Sequence, residues 1–219
     1  MDPDRRAAVD ALAASVRALT GAVVCTEADP GELAAVRAGL DALTARLAAV
    51  PRPAGQRPSA DRTPDGGQVP TGEAAFDPVT GAGSPVSPPL RVTRADHAAT
   101  GTTRLTAVHE GAPGAAHGGV LAALMETMTG QAVITPDRVR LVTRLGLRYR
   151  GPVPLHRDLV LASRVGQAEP TRWQVTGTLA TAEDPDAVLV ESTGTVLELR
   201  PDQLARHAAV TAAADTVPR

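Results

Sequence analysis

The sequence predicts an α+β domain in which an antiparallel sheet wraps around one central helix, with a helical hairpin in front of it. Three observations carry that prediction. One apolar run of helical length, residues 119–134, is flanked on both sides by runs of strand character. The runs after it are divided by Gly151-Pro152, Glu169-Pro170 and Asp184-Pro185, which are turn dipeptides at hairpin spacing. Finally, residues 6–50 keep a helical period until a Pro-rich stretch ends it.

The first helix is marked by Val9, Leu12, Val16 and Leu19 within the Ala-rich segment 6–22. The second has a clear start: Asp29 as N-cap, Pro30 in the first turn and Glu32 completing a capping-box pattern. Leu33, Val36, Leu40, Leu43, Leu47 and Val50 then alternate by three and four, a heptad seam that Pro51 and Pro53 terminate. Residues 1–50 therefore read as a helical hairpin that needs a surface to cover it. Residues 51–89 hold nine of the 19 prolines and read as a linker or surface strap. The domain proper spans 90–200, with strands expected at 90–95, 102–109, 139–150, 157–167, 171–182 and 187–200 around the 119–134 helix. Residues 201–219 form an Ala-rich tail.

Composition narrows the classes of function. The 22 basic and 24 acidic residues give a net charge of −2, which argues against a nucleic-acid partner. Every basic residue is Arg. The only aromatic residues are Phe76, Tyr149 and Trp173, so the core must be aliphatic; Trp173, in alternation with Val175 and Leu179, is expected to pack in it. Cys25 is the one cysteine, too few for a disulfide or a thiolate cluster, and its apolar surroundings suggest a buried inert thiol. No His and carboxylate set has metal-ligand spacing, so neither metal nor other cofactor is expected. The charged opening MDPDRRAAVD is unlike a secretory signal, and no apolar stretch approaches the ~18 residues of a membrane span. A cytoplasmic chain with no membrane partner is the expectation.

The chemistry is concentrated in His109-Glu110-Gly111-Ala112-Pro113-Gly114-Ala115-Ala116-His117-Gly118-Gly119, which runs directly into the central helix. Glycines at a helix start leave backbone N–H groups uncovered at the positive end of the dipole, a place to hold a negative oxygen. Glu126 lies nine residues after His117 in an otherwise apolar helix, where burial would raise its pKa toward the range of a general base. In the next strand, alternation puts Thr143 on one face with Leu141, Leu145 and Leu147, and Arg144, Arg148 and Arg150 on the other. The arginines suit phosphate groups, but a plain solvated strand face is the favoured reading of this residue pattern.

The runs HEGAPGAAHGGVLAALMETMTG and TRLGLRYRGPVPL resemble the hotdog-fold thioesterases of the phenylacetate-pathway (PaaI-like) type, in the pattern EGxPGxxHGGxxAAxxD followed by a Thr-led strand ending YxxPxPL. The segment FDPVTGAGSPVSPPL and the helical hairpin are also similar to members of that group, so the resemblance runs from about residue 5 to 200. It implies a hydrolase acting on acyl-CoA or an acyl-carrier-protein thioester, assembled as a homodimer or a tetramer. It assigns Gly118 or Gly119 N–H as the oxyanion donor, His117 as the residue orienting the loop or thioester, and Thr143 as the hydroxyl that positions water. Glu126 stands where the family has Asp. Arg148 and Arg150 are candidate contacts for CoA phosphates. A non-catalytic hotdog module that binds an acyl thioester is the alternative reading. Gly118 and Glu126 are eight residues apart, roughly 12 Å along one helix, so one thioester can meet both only if two subunits share the site.

Overall fold

The computed structural model describes residues 1–51, 75–135 and 138–206. Two long helices open the chain, α1 (Pro3–Cys25) and α2 (Pro30–Ala48). The domain follows as β1 (Arg91–Ala95), β2 (Ala98–Arg104), a 3₁₀ turn (Ala107–His109), α3 (Gly118–Gln131), β3 (Arg140–Tyr149), β4 (Asp158–Glu169), β5 (Arg172–Thr181) and β6 (Val190–Glu198). The strands form one antiparallel sheet in the order β1-β2-β4-β5-β6-β3, and α3 lies across its inner face. The expected β-β-α-β-β-β-β order is present. The second strand, however, starts earlier than expected and stops at Arg104, and residues 107–109 wind into the 3₁₀ turn because the Thr106 N–H donates to His109 Nδ1 at 3.0 Å.

Leu121, Leu124, Met125 and Met128 of α3 are buried with Leu159 and Leu161 of β4, Leu179 of β5 and Val190 of β6. Trp173 and Val175 are buried as expected, in a second cluster with Ala132, Val133 and Val196 at the C-terminal end of the helix, and the Arg140 guanidinium lies over the Trp173 ring at 4.2 Å. Close approach of helix to sheet depends on glycines that face inward. A Cβ at Gly177 would meet Ser192 Oγ at 2.6 Å and Met125 Cε at 2.9 Å; one at Gly194 would meet Thr129 Cγ2 at 2.5 Å; one at Gly101 would meet Met128 Sδ at 2.8 Å.

Residues 75–90 pack as a strap, with Ala75, Thr80, Ser84, Ser87 and Leu90 buried. Asp77 Oδ1 accepts from the N–H groups of Val79 and Thr80 at 2.9 and 2.8 Å, and the Ser87 hydroxyl donates to the Val79 carbonyl at 2.7 Å. The strap holds α1. Arg17 donates from one nitrogen to the carbonyls of Ala82 (2.9 Å) and Ser84 (2.6 Å), and Ala13 is buried.

Two expectations about the N-terminal region change, the membrane-span length and the burial of Cys25. By length and composition α1 is long and apolar enough to cross a membrane, because its many alanines count as apolar; its charges nevertheless have partners, Arg17 on the strap and Arg6 on Asp10 at 3.1 Å. Cys25 is exposed, since the last turn of α1 runs past the strap, leaving Val23 and Val24 exposed as well. The two helices are joined by a short turn, and the Asp29 side chain caps α2 by accepting from Gly31 and Glu32 N–H, but α2 buries none of its residues and its seam faces solvent. Of the tail, residues 201–206 are helical and 207–219 lie outside the described residues, as do 52–74 of the expected linker.

The glycines give a ranked test. Gly194→Ala should cost about 1–3 kcal/mol, because Thr129 is branched, buried and tied by its hydroxyl to the Met125 carbonyl at 2.8 Å, so it cannot swing away. Gly101→Ala should cost less, because the Met128 thioether is flexible. Thermal melts of the two variants check the order; equal losses would mean that the seat of α3 is softer than described.

Candidate functional site

The loop 109–117 is built to deliver the start of α3. Its base is closed by the His117 N–H donating to the His109 carbonyl (2.8 Å) and the Gly111 N–H to the Ala115 carbonyl (2.9 Å). Its tip is closed by Gly114 N–H donating to Glu110 Oε1 at 2.6 Å, and Gly114 has φ +76°, where a side chain would be strained. Gly111 must also be small, as a Cβ there would lie 2.8 Å from His117 Cα. His109 is half-buried, and burial holds its imidazole below the usual value, consistent with a neutral ring that accepts from Thr106.

His117 is the N-cap of α3, and its Nδ1 accepts from the Gly119 N–H at 2.9 Å. Nδ1 is therefore unprotonated in this arrangement, leaving Nε2 to carry the ring proton. The bond also corrects one expectation: the Gly119 N–H is spent on the cap and is not an oxyanion donor. Gly118 N–H has no acceptor among the described residues. Beside it, the Tyr149 hydroxyl donates to the Gly118 carbonyl at 3.0 Å, and a Cβ at 118 would crowd that hydroxyl at 3.3 Å. An open cleft of about 460 Å³ lies over this point, lined by His117, Gly118, Leu121, Tyr149, Arg150 and Val153 among others.

Glu126 does not line that cleft. Contrary to the expectation of burial, its side chain is exposed on the isolated subunit, and it has no hydrogen-bond or ion-pair partner among the described residues. The surrounding protein still pushes its carboxyl above the ordinary value by desolvation, and the Asp77 carboxylate of the strap adds to the rise.

Thr143 is a bulged residue: the β3–β6 register passes from Val142↔Val196 to Arg144↔Thr195 without it. The bulge breaks the expected alternation, so Val142 and Leu147 both face the core. Thr143 is exposed, and its hydroxyl donates to the Thr195 carbonyl at 3.2 Å. The two arginines separate as well. Because β3 ends at Tyr149, Arg150 leaves the strand pattern, lines the cleft and pairs with Glu191 at 2.8 Å. Arg148 sits opposite Glu191 in register, but that carboxylate is taken, and Arg148 is exposed with no ion pair among the described residues. No cluster of three or more metal-ligating side chains occurs among the described residues.

Residues 113–188 match the sequence profile of the Thioesterase superfamily. A thioesterase superfamily protein of known structure, RHA08564, is 25% identical, superimposes with a TM-score of 0.72, and the match covers 85% of this chain and 93% of that one. That share is larger than residues 90–219 can supply, so the likeness extends into the N-terminal part. The acyl-coenzyme A thioesterase THEM4 of Mus musculus is 28% identical over 94 residues, 43% of this chain and 40% of its own length. The chain thus spans less than half the length of that curated relative. The PaaI protein of E. coli, from the phenylacetic acid degradation operon, matches 51% of this chain and 80% of its own at 13% identity and a TM-score of 0.47. As the sequence led one to expect, the sheet wrapped on α3 is a hotdog fold, shared with the thioesterase superfamily protein RHA08564.

Sequence reasoning assigned no role to Tyr149 or Asp77, although both lie in the segments that carried the resemblance. An aromatic at the end of a strand and an aspartate in a turn have ordinary structural uses, and only the three-dimensional arrangement shows what they approach.

The raised Glu126 pKa has a thermodynamic consequence. The folded state holds this proton more tightly than the unfolded chain, so stability falls as pH rises from the unfolded value of ~4.3 through the raised one. Glu126→Gln should therefore melt higher than the parent at pH 7, with the difference shrinking toward pH 4. Asp77→Asn should lower the Glu126 midpoint only part of the way, because desolvation is the larger cause; carbon-detected NMR titration of Glu126 measures both. A midpoint at or below the ordinary value would refute the described environment.

Proposed function

We propose that this chain hydrolyses acyl thioesters, and that each active site is shared between two copies of it. The observation that carries the reading is the pair of unsatisfied groups on α3: the Gly118 N–H at its start and the Glu126 carboxylate eight residues on. One can hold a developing oxyanion and the other can take a proton from water, but roughly 12 Å of helix divides them. A two-fold axis that sets the start of one α3 beside Glu126 of the other removes the gap, twice per dimer.

In this reading the thioester carbonyl oxygen accepts from Gly118 N–H, and Tyr149 keeps that peptide in place through the Gly118 carbonyl. Neutral His117 offers its Nε2–H to the bound acyl group. Glu126 of the other subunit, its basicity raised by desolvation and Asp77, takes a proton from a water that attacks the carbonyl carbon. The tetrahedral intermediate collapses, the C–S bond breaks, and the departing sulfur leaves as a thiol after gaining the proton. Thr143, on the edge strand, is suited to hold that water, since its hydroxyl already has its proton engaged and keeps a lone pair free. Coenzyme A is favoured over a carrier protein as the thiol, by the likeness to an acyl-CoA thioesterase and by the unpaired, exposed Arg148, which suits a phosphate.

The test is a panel of acyl-CoAs assayed for free thiol. Turnover of at least one is expected, and Glu126→Gln should lower kcat by ~10²–10⁴ with the dimer intact. Heterodimers of a Glu126→Gln chain with a Gly118→Pro chain contain one complete site and should recover activity that neither parent has. Mixed dimers as inactive as their parents would rule out the shared site; coenzyme A binding without thiol release from any acyl-CoA would make the chain a binding module.

A further inference from the structure

The unpartnered surface left over after the site is described is α2. A helix that buries nothing gains no tertiary stabilisation, yet this one has Leu33, Leu43 and Leu47 at 46%, 52% and 62% exposure on one stripe, with Val36 and Leu40 between them. In heptad terms Leu33, Leu40 and Leu47 are a positions and Val36, Leu43 and Val50 are d positions, Val50 lying just past the helix end. The flanking positions decide what fits. Glu32 and Arg46 occupy g, and Arg37 occupies e. The Glu32 carboxylate has no partner among the described residues; Arg37 reaches Asp41 only at 3.9 Å, with both side chains mostly exposed.

We propose that α2 docks on α2 of another copy of this chain as a parallel, in-register coiled coil, with Glu32 of each helix meeting Arg37 of the other. The charges choose the partner and its direction. In a parallel pair, g contacts the e position five residues on in the facing helix, so Glu32 meets Arg37 twice and no like charges face each other. In a fully overlapped antiparallel pair, Arg37 would face Thr44 and Arg46 would face Gly39, and Glu32 would face residue 53, past the helix end. The seam spans fewer than three heptads, too short to hold two free chains together. Copies already joined elsewhere meet at a far higher effective concentration, which is the setting in which so short a pair forms.

The experiment uses the full chain with Cys25→Ser, which removes its one thiol. Under mild oxidation Leu33→Cys should give a covalent dimer as the main product, because in-register helices place residue 33 against its own counterpart. Leu40→Cys should do the same, while Ala38→Cys, on the outer side of the helix, should give little. Adding Glu32→Arg to Leu33→Cys should cut the yield about fivefold by making two like-charge contacts, and adding Arg37→Glu as well should restore it. Because α2 touches no core residue, melting temperatures should stay unchanged throughout. Leu33→Cys and Leu40→Cys yields no higher than that of Ala38→Cys would overturn the proposal, whether residues 52–74 or a different protein covers the seam. So would a Leu33→Cys and Val50→Cys mixture that cross-links only between unlike chains. The readout is a covalent bond at α2, so it stands or falls separately from hydrolysis at Glu126.

Discussion

The molecule is organised around the closeness with which α3 lies on its sheet. Side chains on both surfaces ordinarily hold a helix and a sheet apart. Here Gly101, Gly177 and Gly194 remove side chains beneath Met128, Met125 and Thr129, so the helix settles into a shallow trough. Hydrogen bonds then tie down its C-terminal end. Ser163 donates to the Met128 carbonyl at 2.7 Å, and Arg94 reaches from β1 to the Gln131 side chain at 2.9 Å. A helix seated this way has little freedom to slide or roll, and everything attached to its ends inherits that rigidity.

The site follows from this seat. Residues on the sheet side of α3 are apolar and buried, whereas Glu126 points away from the sheet, where a single subunit offers it no partner. At the other end, the loop 109–117 is held by backbone bonds on one side and by Tyr149 on the other, so Gly118 presents its N–H from a fixed backbone. The Gly118 N–H and the Glu126 carboxylate are each set by the same element but face different surroundings. Electrostatics accordingly acts on them separately: the helix dipole supports negative charge at Gly118, while desolvation and Asp77 raise proton affinity at Glu126.

How much of this was legible in the sequence depended on whether the signal was local. The α2 cap was readable because Asp29, Pro30 and Glu32 do their work within one turn, and the buried alternation of Trp173, Val175 and Leu179 was readable because period two directly reports a face. That His117, Gly118 and Glu126 sit at the cap, the start and the middle of one helix was readable because helical spacing is local. What failed needed a third dimension. The use of Gly119 N–H depends on the rotamer of His117; the bulge at Thr143 depends on the register with β6; the exposure of Glu126 and Cys25 depends on which neighbours arrive. The 3₁₀ turn at 107–109 was missed because Leu105 and Val108 sit among β-branched neighbours of strand character, and a His–backbone bond outweighed that composition.

The bulge has one more implication. β3 is one of the two edges of the sheet, and an edge strand is an open row of donors and acceptors to which any extended chain can add. By pinching the backbone at Thr143, the bulge interrupts that row near one end and confines regular pairing to the stretch from Arg144 to Tyr149, where Arg144 and Arg148 stand guard with like charge. An uninvited strand finds a short, cationic and twisted template. The same irregularity that spoils the alternation thus works as a safeguard against runaway sheet growth, while a partner of matching shape and complementary charge can still be admitted.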